Sequence, residues 1–176
     1  MTTFFLLIGT LAALILALSL WAPRRLSYRE SIGVAAPRAQ VYDDIRFQER
    51  LMAWSAWPAE TNSTCALENE DGTEGARTVF FTKGKRTGHQ EITSLTENRS
   101  VSMTLVGPGP PHKPELTFVL EDDGERTRVH LDCVNTFPRP FNALWHFAGL
   151  SKWTRSMHVK DLAGLKSYSE RTNAAA

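Results

Sequence analysis

Hydrophobic residues follow three different rhythms along the chain, and each predicts a different kind of element. The first is unbroken: "FFLLIGTLAALILALSLW", Phe4 to Trp21, carries no charge, and no charged side chain precedes Arg24. As a helix the run spans roughly 27 Å, close to the roughly 30 Å hydrocarbon core of a bilayer. A cleaved signal peptide is the competing reading. The start, "MTT", lacks Lys and Arg, and no clean small-x-small cleavage site precedes Pro23, so a retained membrane anchor is the better expectation. Trp21 then sits at the interface, and Arg24 and Arg25 put the following domain on the cytoplasmic side.

The second rhythm has a period of two. It begins with "YRESIGV", Tyr28 to Val34, which reads as a first strand. "AAPRAQVYDDI" interrupts it as a helix, with Pro37 in the first turn and Val41 and Ile45 on one face. A second short helix carries Leu51 and Trp54 and stops by Pro58. Alternation then returns. Val101, Met103 and Leu105, then Leu116, Phe118 and Leu120, then Val129, Leu131 and Cys133 all alternate with polar neighbours. One buried and one wet face is the mark of an antiparallel sheet. Turns are predicted at Asp71-Gly72, at Gly84 between two lysines, and at Asp123-Gly124. "GPGPPHKP", Gly107 to Pro114, cannot pair as a central strand and is expected to be a stiff connection.

The third rhythm is helical. Phe141 to Glu170 contains no proline, and Leu144, Phe147, Ser151, Thr154, His158, Leu162 and Leu165 fall on one stripe at about 100° per residue. The stripe is apolar at both ends and polar in the middle. Buried polar groups without partners cost a few kcal/mol, so two readings follow. Either these side chains bond back to the helix and strands, or the middle of the stripe lines a cavity. Trp145 and Trp153 fall on the flanks, away from the stripe, where a preceding loop or a bilayer would cover them.

Composition narrows the function classes. With 20 Lys and Arg against 19 Asp and Glu in 176 residues, no basic excess points to nucleic acid. Two cysteines, Cys65 and Cys133, are too few for a disulfide scaffold or a thiolate metal site, although one bridge is open to them. Nucleophile elbow, P-loop, dinucleotide fingerprint and His/Cys metal spacing are all missing, so no cofactor and no metal is expected. His89, Glu91, His130 and Asp132 lie opposite to the apolar set on their strands and are expected to face solvent.

The order strand, two short helices, antiparallel strands, long helix resembles the helix-grip fold of the START-like, birch-pollen-allergen-like superfamily (SRPBCC), in particular its bacterial polyketide cyclase/dehydrase-type branch. The stretches that carry the likeness are "RESIGVAAPRAQVYDDI", "AWSAWP", "GHQEITSLTENRSVSMTL" and "LAGLKSYSE". The resemblance implies an α+β fold in which a curved antiparallel sheet of about seven strands wraps the long helix. It implies three segments: an anchor over 1–25, a ligand-binding domain over 26–170 and a flexible tail over 171–176. Two departures make the interior more polar than a plain lipid slot. Gln90 stands between Gly88 and Ile92 where the family has an apolar residue, and His158 stands where a large apolar residue is usual.

The expected cavity is lined by Trp54, Trp57, Phe81, Gln90, Ile92, Met103, Phe118, Leu131, Ser151, Thr154 and His158. Its expected occupant is a hydrophobic or amphipathic small molecule, lipid-like or aromatic, since the Phe4–Trp21 anchor keeps the domain beside a membrane. Two other functions stay open. One is a cyclase, dehydratase or hydrolase with His158 as acid or base. The other is a membrane-tethered module that binds an unknown protein partner.

Overall fold

The computed structural model describes residues 2–107 and 114–175. The expected stiff connection, with His112, therefore lies largely outside the described residues. Helix α1 (Thr2–Trp21) stands clear of the rest of the chain except at its end, where Ser19 and the following Ala22 are buried. Strand β1 (Arg25–Val34) follows, starting three residues before the expected Tyr28.

Three short helices come next, one more than the apolar spacing predicts. Helix α2 (Arg38–Arg46) buries Val41 and Ile45, with Pro37 at its N-cap. Helix α3 (Gln48–Trp54) carries Leu51 and Trp54 inward. Pro58 does not end this pair of helices. It opens a third, α4 (Trp57–Thr61), because proline lacks an N–H that the first helical turn would leave unbonded anyway.

The remaining strands are β2 (Thr64–Glu68), β3 (Arg77–Thr82), β4 (Lys85–Thr96), β5 (Ser100–Val106), β6 (Glu115–Asp123) and β7 (Arg126–Thr136). They form one seven-stranded antiparallel sheet in the order β1-β7-β6-β5-β4-β3-β2, so the first and second strands are its two edges. The three turn glycines, Gly72, Gly84 and Gly124, all have positive φ, as the predicted turns require. On β5, β6 and β7 the alternation holds: Val101, Met103, Leu116, Phe118, Leu120, Val129, Leu131 and Cys133 are buried. Cys65 on β2 and Cys133 on β7 are separate free thiols.

The expected single C-terminal helix is two. Helix α5 (Phe141–Phe147) ends at Ala148, and α6 (Leu150–Ala174) starts after Gly149, whose φ of 74° is left-handed. Proline-free sequence is not enough to keep a helix running, because a glycine that adopts αL stops it equally well. The break detaches Leu144 and Phe147 from the inner stripe, and both are exposed, at 51% and 59%. The stripe survives on α6 as Met157, His158, Leu162, Leu165 and Ser169. Helix α6 also continues past Glu170 to Ala174, with Asn173 donating to the Ala35 carbonyl at 3.2 Å. Where α6 crosses α3, Gly164 lets the backbones meet. A Cβ there would lie 2.2 Å from the Trp54 carbonyl oxygen.

Candidate ligand cavity

The space between the sheet and α6 divides into a sealed part and a hollow part. In the sealed part Trp54, Ile92, Met103, Phe118 and Leu131 pack with Leu162 and Leu165 as one core. Trp54 is fixed by its indole N–H, which donates to the Asp44 carbonyl at 2.8 Å, and by an edge-on contact with Phe118 at 6.3 Å. These five predicted site residues therefore fill core and do not line the cavity. The four strand residues are buried as alternation requires, and Trp54 is buried at the end of α3, but the space in front of them is already occupied.

The hollow part is a cavity of about 260 Å³. Helices α3 and α4 contribute Leu51, Met52, Trp57 and Pro58, and the sheet contributes Phe80, Leu105 and Leu116. Trp145 of α5 and Trp153 of α6 complete the apolar wall. Both tryptophans were expected on the flanks. The break at Gly149 gives α5 its own direction, which brings Trp145 round to the cavity. Trp57 packs against Trp153 at 5.7 Å and Phe80 at 6.2 Å. Of the predicted set, Trp57, Gln90, Thr154 and His158 are in this wall. Phe81 is not, and Phe80 takes its place. Two adjacent phenylalanines read equally well in either phase, and a one-residue slip exchanges the faces. The bulge at Phe80/Phe81 marks the change of register. Ser151, in the first turn of α6, also lies outside the wall.

Polar groups in the wall are Ser55, Thr78, Gln90, Asn135, Thr154, His158 and Asp161. Most are committed to the protein. Thr154 donates back to the Leu150 carbonyl at 2.9 Å. Buried Gln48 accepts from both Thr78 (2.9 Å) and Gln90 (3.3 Å), so the polar side chain of Gln90 has its partner on α3. Asp161 accepts at Oδ1 from the Ser55 hydroxyl (3.0 Å) and the Ala56 N–H (2.7 Å), tying α6 to the start of α4. Burial pushes the Asp161 carboxyl above its ordinary range, against the pull of those two donors.

His158 is 5% exposed, and its Nδ1 lies 2.9 Å from the Tyr28 hydroxyl on β1. Burial pulls the imidazole down to about 4, only partly opposed by the Glu30 carboxylate, so the ring is neutral at pH 7. Burial, and then the neighbouring Cys133 thiol, hold the Tyr28 hydroxyl above its ordinary value and protonated. A neutral imidazole and a protonated hydroxyl can share this bond either way: Tyr28 donates to Nδ1 with the ring proton on Nε2, or Nδ1–H donates to the hydroxyl oxygen. Asn135 is different from the rest. It is 3% exposed, and its Oδ1 has no hydrogen-bond partner among the described residues.

Neither Asn135 nor Asp161 was a predicted site residue. Asp161 is three residues from His158 and therefore on the same face of α6, a signal that helical spacing does contain. Asn135 is two residues past Cys133 and so on the same inward phase of β7, a signal that a period of two does contain, although its polar side chain hides it among the apolar Val129, Leu131 and Cys133. The histidine and acid pairs on the strands are elsewhere. Glu91 pairs with Arg77 at 2.8 Å, Asp132 with Arg29 at 2.6 Å, and His130 with Ser31 at 2.7 Å. No group of three or more His, Cys, Asp or Glu able to hold a metal occurs among the described residues.

Three comparisons with known proteins bear on this geometry. Residues 25–170 match the sequence model of a family described as polyketide cyclase/dehydrase and lipid transport. No curated protein matches by sequence. Among solved structures, TTHA0849 from Thermus thermophilus superposes with a TM-score of 0.63 at 20% identity, covering 84% of this chain and 99% of that one. DynU16, from the dynemicin biosynthetic locus, gives 0.58 at 15% identity over 84% of this chain and 48% of its own. Ara h 8.0201 gives 0.53 at 12% identity, over 82% and 97%. Identities this low speak to fold, and the fold they share is the sheet gripping a long C-terminal helix seen here. With the family match spanning the whole sheet and most of α6, the chain belongs to the polyketide cyclase/dehydrase and lipid transport family.

Proposed function

We propose that the chain is a membrane-anchored binder of a hydrophobic or amphipathic small molecule, lipid-like or aromatic, held between the sheet and α6. The observation that carries this reading is the make-up of the cavity wall. Large apolar and aromatic side chains surround a few fixed polar groups, the usual pattern of a site that binds and orients a small organic ligand. The family's lipid-transport description agrees with it. In this reading residues 1–25 are the anchor, 26–170 the binding domain and 171–176 a tail. Helix α1 supports the anchor, with a mean hydropathy of 2.4 over Thr3–Trp21 and only 6% of the span buried. A helix that left the chain as a signal peptide would disrupt the hydrogen bonds of Asn142 to Ser19 in its last turn and to Ala22 just after it. Arg24 and Arg25 favour a cytoplasmic domain.

The test compares the full chain with a Thr154→Trp variant, whose indole fills the cavity. Both are purified in mild detergent and their organic extracts compared by mass spectrometry. An apolar compound in the wild-type extract, lost from the variant at unchanged Tm, is the expected result. Equal retention by the filled variant, or no compound in either extract, would refute the reading.

A second reading, an enzyme working through His158, is favoured by one fact: the ring is in the wall with Nδ1 already held by Tyr28. A histidine held near 4 is a weak base at neutral pH, so binding stands first.

A further inference from the structure

Every third residue from 141 to 153 is large, apolar and solvent-exposed. Phe141, Leu144 and Phe147 on α5 are exposed by 37%, 51% and 59%, and Leu150 and Trp153 on α6 by 36% and 41%. Soluble surfaces rarely leave so many large apolar side chains of one segment uncovered, and where they do the patch commonly marks a contact site. The row is joined to the end of α1. Asn142, 1% exposed, donates to the carbonyl oxygens of Ser19 (2.8 Å) and Ala22 (2.9 Å), and the Phe137 N–H donates to Arg24 O at 2.8 Å. Helix α5 is thus held level with the point where the apolar span ends.

Charge distribution selects the kind of surface. No Asp or Glu occurs between Asp132 and Asp161, while Arg139, Lys152, Arg155 and Lys160 do. Arg155 and Lys160 are satisfied by Glu30 and Glu60. Arg24, Arg25, Arg139 and Lys152 have no carboxylate partner among the described residues. Apolar and aromatic side chains rimmed by unpaired cations match the interface of an anionic bilayer, where basic groups meet headgroups and rings sit just below them.

We propose that the face from Phe141 to Trp153 docks onto an anionic lipid surface beside the anchor, so that the cavity loads from the bilayer itself. The same segment supplies Trp145 and Trp153 to the cavity wall. Its two sides are therefore the membrane contact and the cavity lining, and a lipid-like ligand crosses between them with little exposure to water. The proposal rests on the reading that α1 spans a membrane.

The test uses the full chain carrying Cys65→Ser, reconstituted in vesicles of phosphatidylcholine with phosphatidylserine. An environment-sensitive fluorophore is attached at Phe147→Cys or, as control, at Glu125→Cys. Glu125 lies in the turn at the far end of β7, a strand of 11 residues, whose length is roughly 36 Å at about 3.3 Å per residue. Blue-shifted emission at position 147, quenched several-fold by spin-labelled lipid, with a water-like spectrum at 125, is the expected result. A water-like spectrum at 147 in vesicles that carry the chain on flotation would overturn the docking face and leave the anchor standing. Failure of the chain to float with the vesicles would instead remove the anchor and this proposal with it. Self-quenching between labelled copies without quenching by lipid would mean that a second copy covers the face, and would also overturn it.

Discussion

Replacing His158 with Phe should remove one acid-labile contribution to stability and so reverse, between pH 7 and pH 4, which protein is the more stable. The imidazole titrates near 4 in the folded chain, against an ordinary value of 6.5. The unfolded chain therefore binds the extra proton first, and stability is lost as pH falls from about 6.5 to 4. A shift of that size, at about 1.4 kcal/mol per pH unit, amounts to about 3 kcal/mol by pH 4. At pH 7 the same substitution costs the hydrogen bond to Tyr28, worth about 1 kcal/mol. His158→Phe should thus be about 1 kcal/mol less stable than wild type at pH 7 and about 2 kcal/mol more stable at pH 4. Urea midpoints of the two proteins in mild detergent, taken every half unit of pH, read this directly. Other acids titrate in the same range, so only the difference between the proteins is informative. Parallel curves that never cross would refute the claim that His158 is buried and neutral beside Tyr28.

Two further substitutions separate packing from propensity and binding from folding. Gly164→Ala should stabilise α6 by about 1 kcal/mol if helix propensity decided it. The clash with the Trp54 carbonyl reverses the sign, and a Tm lower by several degrees, about 1–3 kcal/mol, is expected. Asn135→Leu removes a buried oxygen that lacks a partner among the described residues. It should raise the stability of the empty chain by about 1 kcal/mol while lowering retention of the extracted ligand. A variant that loses stability and keeps its ligand would show that Asn135 serves the fold alone.

What could be read from the sequence was whatever repeats. Alternation on β5, β6 and β7 identified the inner face residue by residue, because a slip of one residue would turn polar side chains inward and apolar ones out. Turn glycines located the hairpins for a similar local reason. The cavity itself was less legible. Burial looks the same to a pattern whether a residue faces packed neighbours or empty space, so Ile92, Met103, Phe118 and Leu131 were indistinguishable from wall residues. The break at Gly149 depends on a single backbone conformation, and apolar spacing carries no record of it. Phe80 and Phe81 show the other limit: where two like residues adjoin, a period of two has no phase.

The division between the sealed and hollow parts has a consequence for how the molecule tolerates change. Cooperative folding free energy resides where contacts are dense, around Trp54, Phe118 and Leu165. The wall at Trp57, Leu105, Trp145 and Trp153 sits outside that densely packed unit, the first three half-buried and Trp153 exposed, and it faces a void. Substitutions there forfeit few contacts, and those at the core forfeit many. One half of the interior can therefore drift toward new ligands while the other keeps the chain folded, within a single domain and along a single helix.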